Sequence, residues 1–188
     1  MLDSSLQGGF SNPPVQSAQA FRAALSAMAR PGRIETLGGA TAPAPTSAAA
    51  ATLLLTLCDQ ETPLFLGGAY DTLAMRDWIS FHIGAPIVEA GFAQYALGTW
   101  ADLSQATLPT GISDYPDRSA TLIVEMDTLA ATGARLTGPG IEVEAHLNLP
   151  EIKAFQANRA LFPLGLDFYF TAGPHLAGLP RSSIVAEL

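Results

Sequence analysis

Residues 120–126 constrain the fold most strongly, because Leu122, Ile123 and Val124 follow one another without an intervening polar residue. A strand with one solvent-facing side alternates apolar and polar residues, whereas a continuous apolar run is typical of a strand covered on both faces. The run therefore predicts a strand in the interior of a sheet, with a further layer of structure on each side.

Helical segments alternate with strands in the first half of the chain, and hairpins dominate the second half. The predicted helices occupy residues 15–29, 48–58, 71–82, 100–106 and 151–160. The predicted strands occupy residues 33–37, 64–66, 92–97, 120–126, 135–136, 141–147, 166–171 and 182–185. Residues 111–118 combine glycine, proline and aspartate and are predicted to be a loop. This order predicts an α/β fold, a three-layer sandwich around a mixed sheet.

Three of the predicted helices have recognisable signals. The first is amphipathic, with apolar residues at helical spacing, namely Ala18, Phe21, Leu25 and Met28. The second follows the cap residue Ser47 and is apolar on nearly all sides, which favours a position between layers or against a neighbour. The third is predicted to be capped by Asp71.

The last third of the chain contains an aromatic strand at residues 166–171, in which one face is fully apolar and the other mixed. A turn is expected at Gly173-Pro174, with a further strand at residues 182–185. Pro180 cannot donate to a sheet, so it is expected at a bulge or an edge. Arg181 follows directly and is interpreted as either a surface anchor or an anion contact.

The composition favours one compact unit that associates with other subunits. Of the 188 residues, 48% are hydrophobic and 14% are charged, which is enough to bury a sizeable core and to leave apolar surface for another subunit. We expect a single domain over residues 15–188, preceded by a flexible arm at residues 1–14. The formal charge of -8 disfavours nonspecific nucleic-acid binding.

The single cysteine, Cys58, excludes an intrachain disulfide and a cysteine-ligated cluster, and its apolar neighbours predict burial. No apolar run is long enough to span a bilayer, so no membrane association is expected. The first residues lack the pattern of a secretory signal, which makes the cytoplasm the expected compartment.

Several kinds of chemistry are disfavoured by the residues present. Lys153 is the only lysine and falls on a polar helix face, which argues against a Walker-type phosphate loop and a pyridoxal phosphate Schiff base. The histidines at 82, 146 and 175 show no metal-ligand spacing, so no metal is predicted. Gly138-Pro139-Gly140 is interpreted as a tight turn rather than a phosphate contact, and no G-x-S-x-G occurs.

Asp167, in the aromatic strand, is the most interesting acid of the chain. It is interpreted first as a partner of a nearby arginine, either Arg159 or Arg181, and second as a general acid or base. As a substrate site, Arg159, Asp167 and Arg181 would hold a phosphorylated ligand together. The catalytic residues stay unknown.

Six blocks of the sequence together resemble the PhnH family of the bacterial carbon-phosphorus lyase system. They are FR, L and AMARPG within residues 21–32, TLLLTL with the following D and TP within 52–63, SATLI at 119–123, LTGPGI at 136–141, FPLGLD at 162–167, and LPR at 179–181. The resemblance covers nearly the whole chain from Phe21 onward.

The resemblance implies a subunit of the phosphonate-degrading machinery that assembles with PhnG, PhnI and PhnJ. In that pathway a phosphonate displaces the base of ATP to give ribose 1-phosphonate 5-triphosphate with release of adenine, and a radical iron-sulfur subunit later cleaves the carbon-phosphorus bond. It also implies a fold similar to the large domain of pyridoxal phosphate-dependent transferases, without that cofactor.

Three hypotheses follow for the function. The first is a complex subunit that supports this phosphonate chemistry without a self-sufficient active site. The second is a free-standing enzyme that binds a phosphorylated substrate through Asp167 with Arg159 or Arg181. The third is a structural homodimer, with residues 48–58 as the candidate contact; a homodimer is also expected for the isolated chain.

Overall fold

The computed structural model describes residues 7–188. The predicted arm at residues 1–14 therefore lies partly outside the described residues. The first helix begins at Pro13, two residues before the predicted start, because proline suits the first turn of a helix, where no N–H is needed. Just before it, the carbonyl of Gln7 accepts a hydrogen bond of 3.1 Å from the indole of Trp78.

Five α-helices and eleven strands are present in residues 7–188. The helices are α1 (Pro13–Ala29), α2 (Ala48–Leu57), α3 (Leu73–His82), α4 (Trp100–Leu103) and α5 (Ile152–Ala160). The strands are β1 (Ile34–Thr36), β2 (Leu64–Leu66), β3 (Tyr95–Thr99), β4 (Thr110–Ile112), β5 (Tyr115–Ser119), β6 (Thr121–Glu125), β7 (Ala134–Thr137), β8 (Ala145–Leu147), β9 (Asp167–Ala172), β10 (His175–Leu179) and β11 (Ile184–Ala186).

The central sheet has six strands in the order β1-β10-β9-β6-β3-β2. Strands β2, β3, β6 and β9 are parallel, and β10 runs antiparallel between β9 and β1, so the predicted mixed sheet is confirmed. Two smaller sheets accompany it: β11-β7-β8 and the hairpin β4-β5.

Strand β6 is buried on both faces, as its apolar run predicts. Ile123 packs into a core with residues of α1, α2 and α3, whereas Leu122 and Val124 pack into a second core with residues of α4, α5 and the β11-β7-β8 sheet. The central sheet therefore lies between two layers, one of helices and one of mixed composition.

Helix α1 forms as predicted, but its apolar stripe is not its buried face. Ala20, Ala24 and Ala27 face the core, while Phe21 and Leu25 remain 52% and 56% exposed. The reason is the close approach of α1 to β10. A Cβ atom added to Gly178 of β10 would lie 2.7 Å from the backbone carbonyl oxygen of Ala27, so only small residues fit between them.

Helix α2 lies largely in the protein interior, where its residues from Ala49 to Leu54 are buried. The predicted cap is confirmed, because the Ser47 hydroxyl accepts a hydrogen bond from the Ala50 N–H at 3.1 Å. This burial leaves mainly the last turn of α2 accessible, so most of the helix is not available as the contact surface of a homodimer.

Glu125, at the end of β6, fixes the start of α2 to the sheet. One carboxylate oxygen accepts the Ser47 backbone N–H at 2.7 Å, and the other accepts the Thr171 hydroxyl at 3.0 Å. Burial raises the pKa of this carboxyl group, although the hydrogen bonds oppose the rise.

The predicted cap of α3 is wrong by one residue. The Thr72 hydroxyl accepts the Met75 N–H at 3.1 Å and caps the helix. Asp71 instead forms an exposed ion pair with Arg76 of the first turn of α3. Both residue types cap helices well, so the sequence pattern alone does not separate them.

The second half of the chain contains the largest differences from prediction. Residues 111–118, predicted as a loop, belong to the β4-β5 hairpin, which is mostly exposed and therefore lacks an apolar alternation. Strand β10 was not predicted, because Gly178 interrupts its apolar pattern. The turn at Gly173-Pro174 joins β9 to β10, whereas β11 pairs with β7 in another sheet.

Within residues 7–188, none of the helices combines the length and the apolar character that crossing a bilayer requires.

Replacing Gly178 by alanine is expected to lower the free energy of unfolding by about 1–3 kcal/mol, because the added methyl group forces α1 away from β10. Urea denaturation measures the effect. Gly38→Ala is the matched control, since a Cβ atom there meets nothing within 4 Å. Equal stability of the two variants would contradict the close packing of α1 on β10.

Replacing Glu125 by glutamine keeps the shape of the side chain and removes its charge. Because folding raises the pKa of Glu125, its contribution to stability is present below the ordinary value of 4.5 and is lost as pH rises through the folded value. The variant should therefore gain stability relative to the wild type between pH 4.5 and neutrality. Urea denaturation across this range measures the difference, and a relative loss on raising the pH would contradict the expected sign.

Candidate functional site

Asp167 and Arg181, two of the three predicted site residues, form an ion pair. Strands β9 and β10 form an antiparallel hairpin in which Leu179 lies opposite Phe168, so the end of β10 returns to the start of β9. The Arg181 Nε lies 3.2 Å from both carboxylate oxygens of Asp167, and the Arg181 backbone N–H donates to Oδ1 at 2.7 Å. The side chains of Arg181 and Asp167 are 14% and 23% exposed.

The guanidinium of Arg181 is also held by the segment that leads into β6. One Nη1 proton is donated to the carbonyl of Pro116 at 2.6 Å, and Nη2 donates to the Ser119 hydroxyl and to Asp167. The chain itself therefore uses most of the five N–H donors that an arginine offers. We define this group of Pro116, Ser119, Asp167 and Arg181 as the amino-edge clasp.

Arg159, the third predicted site residue, lies outside the amino-edge clasp. Its guanidinium carbon lies 4.7 Å from the ring centroid of Phe162, and its Nε is buried without a hydrogen-bond partner. It forms no ion pair within residues 7–188. The structure thus brings together Asp167 and Arg181 but not all three residues.

The amino-edge clasp lies at the edge where the parallel strands begin. Tyr95, Thr121 and Asp167, the first residues of β3, β6 and β9, lie side by side in the sheet register. Ligands of open α/β sheets bind beyond the carboxyl ends of parallel strands, which is the opposite edge. Position and bonding both indicate that the clasp holds the fold together.

A cavity of about 670 Å³ opens beside the clasp. Its lining includes Tyr95, Arg118, Ser119 and Thr121. Burial raises the pKa of Tyr95 to about 12, so the phenol keeps its proton near neutral pH. Because the Ser119 hydroxyl already bonds to Arg181, the cavity presents no activated nucleophile.

The carboxyl edge of the sheet holds Glu125, whose two oxygens bond to Ser47 and Thr171. Sequence reasoning did not select Glu125, although an acid directly after the run at residues 122–124 is a signal for a strand end. Tyr70 lies near this carboxylate, and burial raises its pKa to about 12, with Glu125 the largest charge contribution.

Within the part of the chain that the structure describes, no group of three histidine, cysteine or acidic side chains is arranged to hold a metal ion. The His82 ring packs against the Trp78 ring at a tilt of 49°, with ring centroids 5.0 Å apart. Cys58 is buried as predicted, and burial, together with the nearby Asp59, raises its pKa to about 12. Lys153 is exposed on α5.

Sequence reasoning missed three residues that shape this region. Ser119 and Pro116 receive the guanidinium of Arg181, and Asn158 fixes the loop before β9 by accepting the Leu166 N–H at 2.7 Å and donating to its carbonyl at 2.9 Å. Their partners are distant in the chain or depend on a loop conformation, so spacing gave no signal.

Residues 8–186 match the family described as bacterial phosphonate metabolism protein (PhnH). A relative from Rhizobium meliloti (strain 1021), the alpha-D-ribose 1-methylphosphonate 5-triphosphate synthase subunit PhnH, is 35% identical over 94% of this chain and 93% of its own length. The putative C-P lyase subunit protein HtxG of Stutzerimonas stutzeri is 29% identical over 87% of this chain and 83% of its own length. The chain belongs to the PhnH family.

Proposed function

We propose that this chain is a subunit of a carbon-phosphorus lyase core complex, and that it supports formation of ribose 1-phosphonate 5-triphosphate from ATP and a phosphonate with release of adenine. The observation that carries the proposal is the 35% identity, over most of both chains, to a relative named as a subunit of ribose 1-methylphosphonate 5-triphosphate synthase.

The bonding of the candidate residues supports a role without a self-sufficient active site. Within residues 7–188, Arg181 and Asp167 are bonded to each other and to neighbouring segments, and Glu125 is bonded to Ser47 and Thr171. A self-sufficient site for this reaction would bring a catalytic side chain and an anion contact together around one reacting atom. The described side chains do not converge in that way.

The expected partners are PhnG-, PhnI- and PhnJ-type subunits in the cytoplasm, and the chain acts as a single domain over residues 15–188. Its fold is similar to the large domain of pyridoxal phosphate-dependent transferases, but the protein acts without that cofactor. The exposed position of Lys153 on α5 supports this, because a Schiff-base lysine requires a desolvated site.

The isolated chain forms a homodimer through the exposed stripe of α1. Phe21 and Leu25 are about half exposed on neighbouring turns of α1, with Ala18 exposed one turn earlier. Contiguous apolar surface of this kind marks a contact between subunits. Since α2 is buried, the α1 stripe replaces residues 48–58 as the dimer contact.

The complex is expected to release adenine from ATP and methylphosphonate only when this chain is combined with its partner subunits. Chromatographic detection of adenine measures the reaction for the chain alone, the partners alone and the mixture. Release by the mixture alone supports the proposal. Robust release by the isolated chain would show that it has a complete active site.

Arg181→Ala separates the structural role of the amino-edge clasp from a substrate-binding role. We expect a loss of about 2–3 kcal/mol in the free energy of unfolding, below the range for fully buried pairs because Arg181 and Asp167 keep some exposure. Urea denaturation measures stability, and calorimetry measures ATP binding.

Arg76→Ala is the matched control, because it breaks the exposed Arg76–Asp71 pair and should cost much less. If Arg181→Ala kept its stability but lost nucleotide binding, the clasp would instead be a ligand site of a free-standing enzyme.

A further inference from the structure

Exposed apolar side chains gather at the amino edge of the central sheet, on the side of α5. They come from three segments and are Phe92, Ile112, Tyr115, Leu161 and Phe162. We define these five residues, with Arg118 and Arg159, as the hairpin face. Each of the five is 47% exposed or more, and Phe92 is 74% exposed.

The three segments of the hairpin face are held next to one another. The Gly165 N–H donates to the carbonyl of Thr110 at 2.9 Å, which joins the turn after α5 to strand β4. Phe92 and Arg118 line the same cavity, which joins the segment before β3 to strand β5. The three segments that carry the apolar side chains are therefore neighbours at this edge of the sheet.

Two arginines on this face form no ion pair with an acidic residue of the part of the chain that the structure describes. The guanidinium carbon of Arg118 lies 3.9 Å above the centre of the Tyr115 ring, and that of Arg159 lies 4.7 Å from the centre of the Phe162 ring. Neither arginine forms an ion pair within residues 7–188, although acidic residues outnumber basic ones seventeen to nine.

Arginines stacked on exposed aromatic rings are typical of the residues that dominate binding at protein interfaces, where Arg and Tyr are enriched. The planar guanidinium also matches the two oxygens of a carboxylate. We propose that the hairpin face docks a different protein subunit, which presents aspartate or glutamate side chains to Arg118 and Arg159 between apolar residues. This inference rests on the proposed function, because it identifies the surface by which the chain joins its complex.

The hairpin face and the α1 stripe lie in different parts of the molecule. Helix α1 packs on the face of the sheet that holds Ile123, whereas Phe155 of α5 packs on the face that holds Leu122. A homodimer formed through α1 therefore leaves the hairpin face available to a different subunit.

The test measures binding of the full chain to an immobilised complex of PhnG-, PhnI- and PhnJ-type subunits. Arg118→Glu and Arg159→Glu should each weaken binding by about tenfold or more. Arg76→Glu makes the same charge change at an exposed arginine of α3 that is not part of the hairpin face, and it should bind like the wild type. Because Arg159 is partly buried, circular dichroism is used to check that Arg159→Glu is folded. If that variant is unfolded, Arg118→Glu is the variant that tests the inference.

The outcomes separate this inference from the proposed function. If the wild type and Arg118→Glu bound the partner subunits equally well, the docking inference alone would be overturned. If Arg118→Glu changed the self-association of the free chain, measured by light scattering, the hairpin face would be the contact with a second copy of this chain. That result would also overturn the docking inference. Failure of the wild type both to bind the partners and to support adenine release would overturn the two proposals together.

Discussion

The close contact between α1 and β10 governs which surfaces this protein buries and which it displays. Where α1 crosses β10, at Ala27 and Gly178, neither element has room for a larger side chain. The face of α1 with small residues must therefore turn inward, and Phe21 and Leu25 turn outward. A requirement of backbone packing thus produces an exposed apolar surface, although burial of the larger side chains would by itself favour the opposite orientation of the helix.

Two partly buried carboxylates tie outer segments to the ends of the central strands. At one edge Asp167 binds Arg181, which reaches the segment before β6, and at the other Glu125 binds the start of α2. Removing a carboxylate from water is unfavourable unless hydrogen bonds or an opposite charge compensate for it. Here the compensation comes from the chain itself, so these groups serve its architecture.

The strands and helices were largely predictable, because burial leaves a periodic pattern in residues such as 122–124. The pairing of Asp167 with Arg181 was also among the predicted alternatives, because a carboxylate in a strand with an apolar face favours a nearby arginine as its partner. The inward face of α1 was not predictable, since it depends on Gly178, which is remote in sequence. The β4-β5 hairpin and its contacts with Arg181 were missed because exposed strands need no apolar alternation.

The amino-edge clasp also bears on the order of folding events. It joins Arg181 to Pro116 and Ser119, which lie 65 and 62 positions earlier in the chain. Loop closure of this length is entropically unfavourable until the intervening strands have docked. We therefore expect the clasp to close after the β9-β10 hairpin has paired with β6. Contacts that form after the transition state act mainly on the unfolding rate, so we expect a clasp that closes this late to slow unfolding more than it speeds folding.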